Sequence, residues 1–320
     1  MKPARACLRL GALCAALMAG AGAASEAPAP AAAAASGAVS GTAPAREPLP
    51  APALVSIPLP GAARTGGAMV AELFRPGGAG PFPVVVFSHG RAPSVAARGT
   101  LRHGASEPQL RYWLARGAAV IAPIRPGYGA TGGADAEASG LRIDAQGRCV
   151  GRADFRKTAE AASAAVLATV AWLRGEAWAD NRLVLLVGQS VGGLATVAAA
   201  AQHPAGVVGY INFAGGTGGN PGHAPGHSCD PDQLTGLYAA YGRATTIPNL
   251  WVYAENDQYW GATQPATWHA AFAQGSASRT TFVHAPAVPD GDGHGLSRHG
   301  PELWARPVDA FIASIGFATR

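Results

Sequence analysis

The stretch Leu183–Ala200, LVLLVGQSVGGLATVAAA, decides the fold of this 320-residue chain. Its apolar start predicts a strand buried on both faces, and its alanine-rich end predicts a helix. Between them lies one serine, Ser190, in the pattern G-x-S-x-G that runs from Gly188 to Gly192. A sharp turn from strand to helix at such a serine exposes its hydroxyl to a substrate. The alternative is an ordinary helix-capping serine in a glycine-rich turn.

Strand and helix signals alternate along the rest of the chain. Continuous apolar runs separated by helical patterns favour a mostly parallel sheet that helices cover on both faces, which is the α/β class. The strand ends then share one edge of the sheet, where open α/β sheets place their functional sites. The predicted strands lie within 54–59, 68–76, 81–90, 118–126, 182–188, 207–215, 247–257 and 280–286, and the predicted helices span 108–116, 154–173, 191–202, 265–274 and 301–315.

The N-terminal region has the composition of processing and linker segments. Residues 1–24 combine a basic start, an apolar stretch and small residues at Ala21 and Ala23, as in a cleaved secretory signal peptide. The apolar stretch is too short to span a bilayer, so we expect no membrane anchor. Residues 25–50 are rich in Ala and Pro and predict a flexible, extended linker. The folded domain is therefore expected at residues 51–320.

Composition excludes several classes of protein. Hydrophobic residues make up 48% of the chain and charged residues only 13%, which excludes a disordered acidic or basic protein. The isoelectric point is near 9.3. Cleavage of the signal peptide would nevertheless remove Lys2, Arg5 and Arg9 with no acidic residue, and it would lower the formal net charge from +5 to +2. We therefore expect no nucleic-acid partner.

The cysteines agree with export. Cys7 and Cys14 would leave with the signal peptide, and Cys149 and Cys229 would remain. In an oxidising compartment two remaining cysteines predict one disulfide, although two separate thiols are the alternative. A periplasmic or secreted location follows from these features together.

A serine nucleophile needs a histidine base and a carboxylate that orients the base, and after a nucleophile elbow the chain order is serine, acid, histidine. Glu255 and Asp257 end a strongly apolar run, and Asp257 is the better candidate because it lies in the loop proper. The acidic residues that follow the serine are Asp230, Asp232, Glu255, Asp257, Asp290, Asp292, Glu302 and Asp309.

Four histidines follow the predicted acid. His269 falls in a predicted helix and His284 in a predicted strand, which favours structural roles for both. His294 lies in the loop PDGDGHGLS with a glycine on each side, so its ring has room to reach the edge of the sheet. His299 is the remaining alternative. The predicted triad is Ser190, Asp257 and His294.

Backbone N–H groups are expected to bind the oxyanion that forms when the serine attacks a carbonyl. One belongs to Val191, the residue after the serine. The other is expected in the loop after the strand PFPVVVFSHG, where the N–H of Arg91 follows His89 and Gly90.

With these motifs in place, the sequence resembles the α/β-hydrolase superfamily, and within it the dienelactone-hydrolase-like and prolyl-oligopeptidase-related serine esterase branch. The resemblance implies an eight-stranded sheet without a large cap domain, Ser190 as nucleophile, Asp257 and His294 as its partners, and no cofactor. Dienelactone hydrolases proper use cysteine where this chain has serine, which argues against that activity here. The matching segments are FSHG (87–90), RPGYGATGG (125–133), GQSVGG (188–193), AENDQYW (254–260) and DGHG (292–295).

The sequence therefore predicts an exported serine hydrolase that cleaves a small-molecule ester. A peptidase of the prolyl-oligopeptidase type is a second interpretation, weakened because the chain has no room for a propeller domain. A third, a non-catalytic binding protein on a hydrolase scaffold, predicts a broken triad. Tyr259 and Trp260 are candidates for contact with substrate.

Segments 125–133 and 214–229 are expected to form the rim of the pocket, and Arg91 and Arg125 are further candidates to hold a substrate carboxylate. His223, His227 and Cys229 loosely resemble zinc ligands, but their glycine-rich loop provides no helix for such spacing, so no metal site is predicted.

Overall fold

The computed structural model describes residues 48–59, 67–289 and 291–317. The predicted signal peptide and all but the last three residues of the predicted linker lie outside the described residues. Within the described part, no helix is both long and apolar enough to cross a membrane.

One eight-stranded sheet organises the domain. We number its strands β1 to β8 along the chain, and their order across the sheet is β1-β2-β4-β3-β5-β6-β7-β8. β2 pairs antiparallel with β1 and β4, and the pairs from β4 to β8 are parallel. The strands are Ala53–Pro58, Ala68–Phe74, Phe82–Ser88, Ala119–Pro123, Ala179–Gln189, Val207–Phe213, Asn249–Ala254 and Thr280–Ala285. The predicted mostly parallel α/β sheet is confirmed.

Seven α-helices, α1 to α7, are present among the described residues, together with 3-10 turns at Gly293–Arg298 and Pro301–Leu303. In chain order the α-helices are Val95–Gly99, Glu107–Leu114, Phe155–Leu173, Val191–Ala200, Pro231–Ala244, Gln264–Gln274 and Ala305–Ser314. α3, α4, α5 and α6 pack in one apolar core and α2 and α7 in another, on the two faces of the sheet.

Three helical segments differ from the prediction. α1, which has only five residues, is too short for a helical period to be recognised and was not predicted. α5 was not predicted, although Asp230 caps it and Pro231 begins it, because Gly236 and Gly242 interrupt its helical pattern. The predicted helix 301–315 is split at Trp304, whose φ of −138° is not helical. The Trp304 side chain is fully buried and packs against Phe213, which explains why the backbone turns there.

The predicted disulfide joins Cys149 to Cys229 across 80 residues, with a Cα–Cα distance of 5.7 Å. Cys149 belongs to one small hairpin, and Cys229 directly follows another. Arg142–Ile143 pairs with Cys149–Val150, and Gly219–Asn220 pairs with Ala224–Ser228. The bond therefore links the segment before α3 to the segment before α5.

We predict that reduction, or the double substitution Cys149→Ser and Cys229→Ser, lowers the free energy of unfolding by about 4 kcal/mol. A cross-link that closes a loop of 80 residues removes that much chain entropy from the unfolded state. Urea unfolding of the oxidised, reduced and substituted proteins measures it. Equal midpoints for all three would contradict the prediction.

Candidate active site

Ser190 lies where β5 ends and α4 begins, in a conformation that few side chains adopt. Its φ is 58° and its ψ is −124°. A Cβ on Gly188 would collide with the backbone of Gly192, and a Cβ on Gly192 would collide with the carbonyl of Ser88. The glycines are therefore required by the close approach of strand and helix, as the sequence predicts.

The structure brings Ser190, His294 and Asp257 together. His294 Nε2 lies 2.9 Å from Ser190 Oγ, and His294 Nδ1 lies 3.2 Å from Asp257 Oδ2. A hydroxyl that donates to Nε2 and an Nδ1–H that donates to the carboxylate together satisfy both ring nitrogens. His299, the alternative, lies at the end of the 3-10 turn Gly293–Arg298, and His269 and His284 lie in α6 and β8 as expected.

Backbone amides hold the buried carboxylate in place. Asp257 Oδ1 accepts hydrogen bonds from the N–H groups of Tyr259 at 2.8 Å and Trp260 at 3.1 Å. The Tyr259 ring stacks on the imidazole of His294 at a centroid distance of 3.9 Å. Both contacts restrict the orientation of the acid–histidine pair.

Two side chains join the loop of Asp257 to the loop of His294. Asn256 donates to the carbonyls of Val288 and Gly291, both at 3.0 Å, and accepts from the N–H of Val288. Asp292 Oδ1 accepts from the N–H groups of Gln258 and His294, both at 2.9 Å. Sequence reasoning assigned neither residue a role, because each only connects backbone segments.

The turn of the nucleophile is also joined to the histidine loop. Gln189 Nε2 donates to the carbonyl of His294 at 2.9 Å. Gln189, the residue before Ser190, therefore ties the His294 loop to the end of β5.

The two expected oxyanion donors come from α4 and from the loop after β3. Val191 is the first residue of α4, where a helix leaves its N–H without an intrahelical acceptor. Gly90 comes so close that a Cβ on it would lie 3.2 Å from the Cβ of Ser190. Gly90 and Arg91 both line the cleft that contains Ser190.

His89 lines the cleft, but both of its ring nitrogens have backbone partners, so it is not available as a base. Its Nδ1 lies 2.7 Å from the Gly90 carbonyl, and the N–H of Arg125 donates to its Nε2 at 3.2 Å. Burial, and then the Arg125 charge, hold the pKa of His89 well below its ordinary value of 6.5. The ring is therefore neutral, with its proton on Nδ1.

Arg125 is fully buried and does not line the cleft, so it is not a substrate contact, contrary to one expectation. Its guanidinium pairs with the buried carboxylate of Glu137 at 2.5 Å. Burial is the largest single effect and lowers the pKa of Arg125, but the charge and hydrogen bond of Glu137 together with Tyr128 raise the pKa above its ordinary value.

Arg91 is also paired through its side chain. It donates to both carboxylate oxygens of Asp135, at 2.5 and 2.8 Å, and lies 3.4 Å from Glu137. Arg98 pairs with the same Asp135 at 3.2 Å. The hydrogen bond from Arg91 lowers the pKa of Asp135. The Arg91 side chain thus contributes to the wall of the cleft and has its own carboxylate partners.

A cleft of about 550 Å³ opens above Ser190. Its walls differ from the expected rim, since 125–133 and 214–229 contribute no lining residue. A second cavity of about 530 Å³ lies by the starts of α3 and α5 and includes none of the triad. The cleft above Ser190 is lined by Phe87, 89–93, 101, 103–107, Gln189, Ser190, Tyr259, His294, Ser297 and Arg298.

The two aromatic candidates differ in position. Tyr259 lines the cleft, whereas Trp260 is only 1% exposed and does not. The Trp260 ring packs edge-on against His294 at 5.4 Å and donates to the carbonyl of Ala214. Its burial leaves it a packing role behind the base, so the expected contact with substrate is not supported.

The segment 214–229 packs behind the acid loop, with the Gly226 N–H donating to the Gln258 carbonyl at 2.6 Å. The sulfur of Cys229 is bonded to Cys149 and is not free to bind zinc with His223 and His227. Among the residues that the structure describes, no cluster of three or more His, Cys, Asp or Glu side chains is arranged around a metal position.

Comparison with known proteins identifies the fold. No model of a protein family matches the chain, and no curated protein matches its sequence. Solved structures do match. An esterase from Pyrococcus furiosus has a TM-score of 0.53 at 13% identity, over 83% of this chain and 91% of that chain. A candidate dienelactone hydrolase from Klebsiella pneumoniae has 0.52 at 17% identity, over 83% and 98%.

A peptidase and a further hydrolase match as well. Acylaminoacyl peptidase from Pyrococcus horikoshii has a TM-score of 0.54 at 14% identity, over 85% of this chain and 42% of that chain. A puromycin hydrolase has 0.58 at 15% identity, over 83% and 39%. At these identities the likeness concerns the fold. The chain has the α/β-hydrolase fold, and the matches include esterase, dienelactone hydrolase and peptidase members of the branch that its motifs resemble.

We predict that Asn256→Ala loosens the histidine loop, because it removes three hydrogen bonds between the two loops. The free energy of unfolding should fall by about 1–3 kcal/mol. Hydrogen exchange should accelerate in the amides around 288–295. Mass spectrometry of deuterium uptake measures the second effect.

Gln258→Ala is the matched control, because the Gln258 side-chain amide donates only within its own loop, to the carbonyl of Asn256. Its exchange around 288–295 should equal that of the wild type. Equal protection in the Asn256→Ala protein would show that the two loops are held together by other contacts.

Proposed function

We propose that the protein is an exported serine carboxylesterase that cleaves a small ester through Ser190, His294 and Asp257. The observation that carries the proposal is the geometry of these three side chains, with 2.9 Å from base to nucleophile and 3.2 Å from base to acid. These contacts join a strained serine to an oriented imidazole, which is the arrangement that activates a hydroxyl.

In the proposed reaction, Ser190 Oγ attacks the ester carbonyl while His294 Nε2 accepts its proton. The carbonyl oxygen becomes an oxyanion and accepts hydrogen bonds from the N–H groups of Val191 and Arg91. His294 then donates the proton to the departing alkoxide, and Asp257 stabilises the imidazolium. Water, deprotonated by the same imidazole, releases the acid and restores the free Ser190 hydroxyl.

The cleft favours a small substrate. Its volume of about 550 Å³ lies in the lower half of the usual range for small-molecule sites. Phe87, Leu101 and Ala105 provide an apolar section of its wall. An ester with a short or medium acyl chain fits this combination of volume and lining.

Cleavage of an amide bond is the second candidate function. Matches to an acylaminoacyl peptidase and a puromycin hydrolase favour it, with TM-scores equal to or above those of the esterase match. The chain spans about two fifths of each of those two proteins, and their activities need not accompany the shared fold. The ester proposal therefore stands first, and amide substrates belong in the same assay.

Export is proposed on two grounds. Residues 1–24 have the pattern of a cleaved signal peptide. The bond between Cys149 and Cys229 suits the oxidising periplasm or the extracellular medium.

We predict that a protein beginning near residue 25 hydrolyses p-nitrophenyl acetate, butyrate or octanoate. Ser190→Ala and His294→Gln should each lower kcat by about 10⁴-fold or more, because either substitution disables the nucleophile and its base as a unit. Initial rates of p-nitrophenol release measure these effects, and p-nitroanilides of the same acyl groups test amide cleavage.

His299→Gln is the matched control, because it alters a nearby histidine that has no contact with Ser190, and it should retain the wild-type kcat. A fluorophosphonate probe should label the wild type at Ser190. Substantial ester hydrolysis by the Ser190→Ala protein would refute the proposed nucleophile. No hydrolysis and no labelling of the wild type would favour a binding protein.

A further inference from the structure

Arg125 makes an unusual set of contacts for a residue that substrate cannot reach. It lies two residues after the end of β4 and is 0% exposed. Its guanidinium donates to three consecutive residues at the end of β3. The acceptors are Ser88 Oγ at 3.1 Å, the His89 carbonyl at 2.5 Å and the Gly90 carbonyl at 3.3 Å. All of these acceptors belong to the loop that passes over Ser190.

Carboxylate and hydroxyl groups balance the buried guanidinium. Glu137, itself 2% exposed, accepts from Arg125 Nε at 2.5 Å and Nη2 at 3.4 Å. The Tyr128 hydroxyl donates to Glu137 at 2.9 Å. A buried ion pair of this kind retains one geometry because each charge has several hydrogen-bond partners. Arg125 is thus held rigidly against the loop.

The planarity of the peptide bond gives these contacts a consequence at Ser190. In a trans peptide the C=O and the N–H point in opposite directions. The Gly90 carbonyl is directed towards Nη2 of the fully buried Arg125 and towards His89 Nδ1. The N–H of the same peptide group, which belongs to Arg91, must then point away from Arg125, and Arg91 is a residue of the cleft wall.

We infer that Arg125 is a positioning residue for the oxyanion hole. Arg125 and His89 fix the orientation of the Gly90 carbonyl by hydrogen bonds. This orientation directs the Arg91 N–H at the oxyanion, which forms on the substrate carbonyl when Ser190 attacks it. The inference rests on the proposed function. It gives Arg125, the first residue of the segment RPGYGATGG, a role in binding the transition state. Arg125 would act indirectly, through the backbone of residues 89–91.

Arg125→Lys tests the inference while keeping the charge that Glu137 requires. A single ammonium cannot reach both the carboxylate and the carbonyls, since it lacks the fork of the guanidinium. We expect kcat for p-nitrophenyl butyrate to fall by about 10- to 100-fold, below the full loss of an oxyanion donor. KM should change by less than about threefold, because the ground-state carbonyl makes little use of the hole.

An alkyl boronic acid gives a second readout. It forms a tetrahedral anion on Ser190 Oγ, with one oxygen in the oxyanion hole. Its inhibition constant should rise by the same factor by which kcat/KM falls. Arg116→Lys is the matched control, because it makes the same change in an ion pair, with Asp309 at 2.8 Å, that lies outside the cleft lining and outside the contacts of Arg125. Its kcat should remain within about threefold of the wild type.

If Arg125→Lys does not fold, as judged by circular dichroism and urea unfolding, substitutions at His89 decide. The amide nitrogen of Asn can replace Nδ1 and donate to the Gly90 carbonyl, whereas that of Gln corresponds to Nε2. His89→Asn should therefore retain kcat within about threefold, and His89→Gln should lose about 10-fold or more. Equal kcat values for the two variants would overturn the inference.

The outcomes separate this inference from the proposed function. An active wild type with unchanged kcat and boronate affinity in Arg125→Lys overturns the inference and leaves the proposed function intact. A raised KM with unchanged kcat also overturns it, because that result indicates a ground-state contact. A wild type that neither hydrolyses esters nor reacts with a fluorophosphonate overturns the proposed function, and the inference with it.

Discussion

The backbone of Ser190 is the constraint on which the candidate site depends. A serine with φ of 58° and ψ of −124° is strained by about 1–3 kcal/mol, and such strain persists only where the surroundings impose it. Here every residue of α4 is buried, and β5 is hydrogen-bonded on both sides by β3 and β6. The packing of strand and helix therefore compensates for one unfavourable residue.

Around that serine, the candidate site is assembled from separate loops, and side chains outside the candidate triad connect these loops to one another. Asn256 and Asp292 join the acid loop to the histidine loop, and Gln189 joins the histidine loop to the serine turn. Arg125, which pairs with Glu137, holds the segment after β3 through hydrogen bonds to Ser88, His89 and Gly90. A site built this way depends on many weak bonds, so the loss of one connection alters distances by small amounts and need not unfold the domain.

Much of the fold followed from the sequence because long apolar runs and terminal turn residues make strands easy to recognise. All eight predicted strands are present. α5 was missed because two glycines weaken its pattern, and the last helix was predicted too long because Trp304 turns the backbone to reach its buried site. These differences arise from tertiary packing, which local propensity does not record.

By itself, the sequence determined the α/β class and the strand-to-helix turn at Ser190, because local pattern encodes both. It also predicted the candidate triad from the order of serine, acid and histidine along the chain, and it favoured the pairing of Cys149 with Cys229 over two separate thiols. Only the tertiary structure decided that Arg125 lies buried against residues 88–90, that Trp260 packs behind His294, and which segments form the walls of the cleft. The physical reason is that burial and hydrogen-bond partners depend on residues far apart in the chain, which no local pattern contains.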